Sequence, residues 1–289
     1  MTKEQLIVFL KNNHLTPNFT YGQNFLIDEI VLQDIVDAAE VTKEDAVLEI
    51  GPGIGNMTRL LCARAGYVLS IEKDPRFIPI LKSIKKDFRE NFRYEVADAL
   101  EYDFQKVFLQ RAEEIGVSTA AQPAPYKVVA NIPYYITGKI LQMLLTAQHK
   151  PSSITLLMQK EVAQNAAAPL GKMSVLAVSV QLFGEPKIIQ IVKARSFHPM
   201  PKVDSAVLQV MVHDKPRYVV ADEKKFFSTV KACFTGKRKQ LHNTLANYLK
   251  ISKDEAAKIL ESIVIDPAVR PQELSIPDWI RLVNKISER

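Results

Sequence analysis

Four short stretches of the chain carry residue types at spacings that could do chemistry on a nucleoside. The first is Val47-Leu-Glu-Ile-Gly51-Pro-Gly53-Ile-Gly55-Asn56. An apolar run passes there into a glycine-rich turn, so bare backbone N–H groups can approach a ligand closely. The G-x-G-x-G spacing is not the G-x-G-x-x-G that cradles a dinucleotide pyrophosphate, and Glu49, two residues before the first glycine, also departs from that pattern. The second is Glu72, 21 residues after Gly51 at the end of Val68-Leu-Ser-Ile, where a carboxylate can accept from both hydroxyls of a ribose. The third is Asp98, which can accept from an adenine amino group or simply cap a turn.

The fourth stretch, Asn131-Ile132-Pro133-Tyr134, is the most specific. The exocyclic amine of adenine is a poor nucleophile because its lone pair is delocalised into the ring. The Asn131 amide oxygen and the Ile132 carbonyl could both accept from that NH₂ and localise the lone pair on nitrogen. Pro133 restricts Ile132 and donates nothing, keeping the carbonyl aimed. Tyr134 offers an aromatic face on which a base can stack.

These residues need elements to position them. Ala46–Ile50, Tyr67–Ile71, Phe92–Val96 and Tyr126–Ala130 read as buried strands, with Asn56–Ala65, Pro75–Lys86, Phe104–Ile115 and Thr137–Gln148 as helices between them. This alternation predicts a parallel sheet covered by helices, extended by Ser153–Met158, Lys187–Val192 and Val203–Val212. The last two are close enough in sequence to pair antiparallel. Upstream, Thr16–Leu26 reads as an irregular lead-in and Asp28–Glu40 as a helix capped by Asp28. Beyond Asp214 the pattern turns helical: Phe226–Cys233, Lys239–Leu249, Lys253–Ser262 and Pro277–Ile286. The expected organisation is an α/β domain over 1–213 and a small all-helical domain over 214–289.

Composition narrows the class. With 289 residues, 47% hydrophobic and 24% charged, the chain is ordinary globular protein, and low-complexity or disordered architectures are excluded. No apolar stretch approaches the roughly 18–20 residues of a membrane span, and Leu6–Leu10 is too short for a secretory leader. Cys62 and Cys233 lie far apart without metal-ligand spacing. A reducing, cytoplasmic setting is expected, with no metal and no membrane partner. The net charge of +6 is concentrated late: Lys215–Lys239 holds eight basic residues against Asp222 and Glu223 alone. Pro186–Val203 adds Lys187, Lys193, Arg195 and Lys202 with no acid. Such a band fits a polyanionic partner, although a solvated lysine-rich face has the same composition.

The motifs together resemble a known family. Asn131–Tyr134 with the glycine turn is similar to adenine-N6 methyltransferases. Gly22-Gln-Asn-Phe-Leu26 and Phe197-His-Pro-Met-Pro-Lys-Val-Asp-Ser-Ala-Val207 narrow the resemblance to ribosomal RNA adenine N6,N6-dimethyltransferases. Phe234-Thr-Gly-Lys-Arg-Lys-Gln-Leu-His-Asn243 and Ile265-Asp-Pro-Ala-Val-Arg-Pro-Gln-Glu-Leu274 point to the small-subunit branch. The resemblance covers nearly the whole chain.

It implies a Rossmann-like S-adenosylmethionine methyltransferase domain followed by a helical domain that binds ribosomal RNA. The implied activity is dimethylation of two adjacent adenosines in a hairpin loop near the 3′ end of small-subunit RNA, during subunit assembly and by a monomer. Implied cofactor contacts are Asn24, Leu26, Gly51, Gly53, Glu72, Asp98 and Asn131. Asn131, Ile132, Pro133 and Tyr134 would serve the reaction, and Lys202, Lys237, Arg238 and Lys239 the RNA.

Three departures from the family pattern stand out. Asn18-Phe-Thr-Tyr stands directly before Gly22 where the family usually has a basic residue, the loop Asn165–Gly171 looks shortened, and Lys237-Arg238-Lys239 replaces paired arginines, which keeps charge but loses a bidentate fork. That loop would lie near the active-site mouth. His198 reads as a structural loop histidine, Tyr135 as core or rim packing and Phe183 as buried, whereas Phe197 could equally stack a base or pack inside. The nearest rival is the antibiotic-resistance dimethyltransferase of large-subunit RNA, against which the Ile265–Leu274 block argues. A non-catalytic RNA-binding factor on the same fold is the other, against which the intact Asn131–Tyr134, Glu72 and Asp98 argue.

Overall fold

The computed structural model describes every residue except 19, 104–105, 107–124, 214, 216, 237 and 289. The predicted helix Phe104–Ile115 therefore lies, but for Lys106, outside the described residues. In chain order the described elements begin α1 (Lys3–Asn12), β1 (Phe25–Leu26), α2 (Glu29–Ala38), β2 (Ala46–Ile50), α3 (Asn56–Arg64) and β3 (Tyr67–Glu72). They continue α4 (Ile78–Asp87), β4 (Phe92–Val96), β5 (Tyr126–Asn131), α5 (Thr137–Leu145), β6 (Ser153–Gln159), α6 (Lys160–Ala166) and α7 (Val175–Phe183). The last are β7 (Gly184–Val192), β8 (Phe197–His198), β9 (Ser205–Val212), α8 (Glu223–Cys233), α9 (Leu241–Leu249), α10 (Lys253–Ser262) and α11 (Ile276–Ser287).

The chain forms two compact units, one of Met1–Ala163 with Pro186–Val212, the other of Gln164–Glu185 with His213–Arg289. This differs from a single cut at 213/214, because Gln164–Glu185 groups with the C-terminal helices. Its loop is tied there by backbone bonds: Gly171 and Met173 both donate to the Gln272 carbonyl, at 3.1 and 3.3 Å.

In the first unit the sheet runs β4-β3-β2-β5-β6-β9-β7. Strands β4, β3, β2, β5 and β6 are mutually parallel, and β9 is antiparallel to β6. Every residue of β2 and β3 is buried, which requires cover on both faces and explains why these strands read as continuous apolar runs. The chain steps from β2 outward to β3 and β4, then returns to β5 on the other side of β2. Between β2 and β5 the direction of winding reverses, the place where open α/β sheets hold ligands.

The second unit packs α7–α11 around Trp279, fully buried with Phe226, Leu245, Leu260 and Leu282. Phe234 lies over the Trp279 ring with centroids 5.8 Å apart. Ser252 with Glu255 and Ser275 with Asp278 form reciprocal caps at the starts of α10 and α11.

Gly55 ends the glycine turn and caps α3 at φ +79. A Cβ there would stand 2.2 Å from Ile84 Cδ1 of α4. The left-handed backbone disfavours any L side chain, so Gly55→Ala should lower stability by about 1–2 kcal/mol, read as a shifted urea midpoint. An unchanged midpoint would show that the turn relaxes freely.

Candidate active site

An open cleft lies at the carboxyl ends of the parallel strands. Ten of the residues singled out in the sequence line it: Asn24, Leu26, Gly51, Gly53, Glu72, Asp98, Asn131, Ile132, Pro133 and Tyr134. Of the basic residues, Lys202 is exposed and does not line the cleft. Arg238 and Lys239 are exposed in the second unit, in the turn before α9 and not within its first turn. Lys237 lies outside the described residues.

Glu72 ends β3 and is 6% exposed. Two backbone amides fix its carboxylate: Asp74 N donates to Oε1 at 2.8 Å and Gly53 N to Oε2 at 3.0 Å. Burial raises its pKa, and the amide bonds oppose that rise. Each oxygen keeps a lone pair for a further donor.

Asp74 is itself buried and takes the Arg76 guanidinium and Gln23 Nε2 on its carboxylate. Burial works against its charge, but these bonds outweigh it and hold the carboxyl below its usual range. Arg76 also donates to the Thr16 carbonyl at 3.2 Å. The irregular lead-in is thereby pinned beside Glu72, and β1 adds a two-residue pairing of Phe25 with His198 and Leu26 with Phe197.

Asp98 follows β4, which pairs with β3 so that Val96 stands opposite Glu72. Leu100 N donates to its Oδ1 at 3.0 Å, and Lys73 Nζ lies 2.6 Å from its Oδ2. The lysine bond, then the amide, lowers the Asp98 pKa.

Asn131 ends β5. Its side-chain amide has no hydrogen-bond partner among the described residues, and Gly51 sits close enough that a Cβ there would meet the Asn131 backbone oxygen at 3.7 Å. Pro133 is extended at φ −57, ψ 137, and its carbonyl accepts from Ile136 N at 3.2 Å. The Tyr134 hydroxyl bonds the Oγ of buried Ser205, on β9, at 2.8 Å. That bond and partial burial of the ring fix its plane at the cleft wall.

Two further residues line the cleft: Tyr135, read from the sequence as core or rim packing, and Phe197, read as either a base-stacking or a packed ring. Tyr135 is 59% exposed at the rim, and Phe197 lines the cleft while only 3% exposed. Phe183 belongs to the second unit, where it packs 6.2 Å from Phe227.

The main omission is Glu49, fully buried in β2 and lining the cleft. Thr58 and Ser70 donate to its Oε2 at 2.8 and 2.5 Å, and Oε1 has no partner among the described residues. Its signal was a lone carboxylate inside an otherwise apolar strand. Among the described residues no His, Cys, Asp and Glu cluster could hold a metal, and no helix is long and apolar enough to cross a membrane.

Fold and cleft together define a Rossmann-like α/β transferase whose site sits at the reversal of the sheet. The chain belongs to the ribosomal RNA adenine dimethylase family, whose profile matches residues 14–288. It is 42% identical over 267 residues to ribosomal RNA small subunit methyltransferase A of Clostridium botulinum (strain Langeland), covering 92% of each chain. It is 38% identical over 261 residues to the protein of the same name from Dehalococcoides mccartyi (strain CBDB1), covering 90% of this chain and 85% of that one. Among solved structures it is similar to the 23S rRNA methyltransferase ErmE, at TM-score 0.68 and 28% identity over 91% of this chain and all of that one. A dimethyladenosine transferase from Plasmodium falciparum shares the fold at TM-score 0.74 and 24% identity, over 91% of this chain and 98% of that one.

Burial pushes the Glu49 carboxyl from the ordinary 4.5 up to about 7, against the two hydroxyl bonds that favour its charge. The folded state thus binds this proton more tightly than the unfolded chain. The resulting stability is present below about 4.5 and is lost as pH rises through about 7. Urea denaturation from acid to neutral pH should show wild type losing on the order of 3 kcal/mol relative to Glu49→Gln. Parallel stability curves would mean that the Glu49 carboxyl binds its proton equally well in the folded and unfolded chain.

Proposed function

We propose that this protein transfers methyl groups from S-adenosylmethionine to N6 of adenosines in small-subunit (16S) ribosomal RNA. The targets are two adjacent adenosines in a hairpin loop near the 3′ end, each dimethylated during subunit assembly in the cytoplasm. The observation that carries this reading is the Asn131–Tyr134 turn at the reversal of the sheet, beside the Gly51 turn, with the Asn131 side-chain amide unpartnered among the described residues. The small-subunit assignment rests on the names of the 42% and 38% identical relatives, against 28% identity to the large-subunit enzyme.

The residues present fit the cofactor. Glu72 is held by two amides with lone pairs remaining for a ribose diol, Asp98 can accept from an adenine amine, and Phe25, Ile71 and Leu100 supply apolar lining. A Cβ at Gly53 would close to 3.5 Å on the Phe25 ring. Asn24, Leu26 and Gly51 complete this end. S-adenosylmethionine bound there supplies an electrophilic methyl group on its sulfonium.

The chain's own residues act on the target amine. Asn131 Oδ1 and the Ile132 carbonyl accept its two N–H bonds and localise its lone pair, Pro133 holds that carbonyl extended, and Tyr134 stacks the base. A hairpin-loop adenosine costs less to flip into such a pocket than a paired one. The helical unit, with Lys237, Arg238 and Lys239, and Lys202 of the first unit contact RNA phosphates.

Mass spectrometry of both ribosomal RNAs, from cells with and without the gene, tests the target. Dimethyladenosine should vanish from the small-subunit RNA alone; its disappearance from the large-subunit RNA would assign the rival activity. Asn131→Ala should abolish methylation while leaving the circular-dichroism melt intact, and appreciable turnover would remove Asn131 from the chemistry.

Reversing Lys237, Arg238 and Lys239 to Glu tests the helical unit. Affinity for S-adenosylmethionine should hold while association with the small subunit weakens. The slope of log affinity against log salt should flatten by about 0.7–0.9 for each phosphate that is no longer neutralised. An unchanged slope with wild-type affinity would make the cluster a solvated face.

A further inference from the structure

Lys73 directly follows Glu72, so one strand end supplies both the ribose carboxylate and a cation. Its Nζ is 2.6 Å from Asp98 Oδ2 and 5.7 Å from the centroid of the Tyr21 ring. Tyr21, Lys73 and Asp98 all line the cleft, so the side chain spans from the pinned lead-in to the turn after β4. The lysine is half exposed, whereas the Asp98 side chain is 21% exposed.

That asymmetry matters once a flat base covers Asp98. An unpaired carboxylate loses its remaining water and is penalised for it. One already paired with an ammonium keeps its compensation under the base. The pairing favours the charged form of both groups, lowering the pKa of Asp98 and raising that of Lys73. Leu100 N fixes the other oxygen, so the carboxylate is held at both ends with lone pairs left over for a purine amine.

We propose that Lys73 is a positioning residue for the adenine end of the cofactor cleft, acting through Asp98 by keeping its carboxylate paired and aimed. It straps Asp98 to Tyr21 and sets the affinity of the site for the adenosyl group. This rests on the reading of the cleft as an S-adenosylmethionine site.

Calorimetry with S-adenosylhomocysteine separates the two. Lys73→Met keeps the apolar stem and loses the charge; Lys73→Arg keeps the charge. Lys73→Met should weaken binding about fivefold, the effect of losing one ion pair of this exposure, and Lys73→Arg should restore it. In an Asp98→Asn background the same Lys73→Met change should have no further effect, because the partner through which it acts is gone. Wild-type affinity in Lys73→Met, or an equal weakening in both backgrounds, would overturn the proposal. Failure of the wild-type protein to bind S-adenosylhomocysteine at all would overturn the cofactor reading, and the strap with it.

Discussion

The parallel pairing of β2 with β5 is the constraint on which the cleft depends. Its register sets Ile50 opposite Ala130, so the next residues on the two strands, Gly51 and Asn131, emerge side by side. They are 80 positions apart in the chain. Because β2 also pairs with β3 on its other side, the amide of Gly53 reaches Glu72. Slip either pairing by one residue and every side chain of β2 changes face. The completely buried surfaces of β2 and β3 forbid such a slip, so packing of Val47, Leu48, Val68 and Leu69 determines where the polar atoms of the cleft converge.

Four carboxylates gather around that convergence, and their surroundings differ. Glu49 is fully buried, with hydroxyls on one oxygen and, among the described residues, nothing on the other, and desolvation favours its proton. Glu72 is nearly as buried, but two backbone amides partly restore its charged form. Asp74 is buried as well, yet a guanidinium makes it firmly anionic and turns it into the anchor of the lead-in. Asp98 is partly open and paired with an exposed lysine. A buried charge persists only where partners replace its water, so the partners of each carboxylate decide how firmly its charge is held.

The two compact units differ in how they treat polar groups. The first presents an apolar-walled cleft with few, fixed polar groups. The second is held together by its own core around Trp279 and presents Arg238 and Lys239 to solvent. Its inclusion of Gln164–Glu185 follows from hydrogen bonding: backbone donors of the loop need acceptors, and Gln272 supplies one to both Gly171 and Met173.

Much of this is written in the chain itself. Strands β2 and β4 and helix α10 coincide with their sequence patterns to the residue, and β3 and β5 exceed theirs by one. Short apolar runs bounded by Gly, Asp or Asn have no other comfortable structure, and a proline or a glycine marks its own turn. The glycine turn, Glu72 and Asn131–Tyr134 were visible because each is a polar or flexible exception at the end of an apolar run, and Asp98 because it follows the next strand in the same register. Other features depend on partners distant in sequence. Helix α7 is Val-rich and apolar on nearly every side, so it has no readable period, and only burial against the helical core makes it a helix. The two-residue pairing of β1 with β8, the Ser205 bond to Tyr134 and the Arg76–Asp74–Gln23 chain join segments with no local signal. Glu49 stands beside the glycine motif in the sequence, and only the fold encloses it; the contacts of Lys73 with Asp98 and Tyr21 likewise join segments far apart in the chain. Local pattern determines elements and their ends; the tertiary structure decides which ends meet, because only packing of the buried faces fixes register and order.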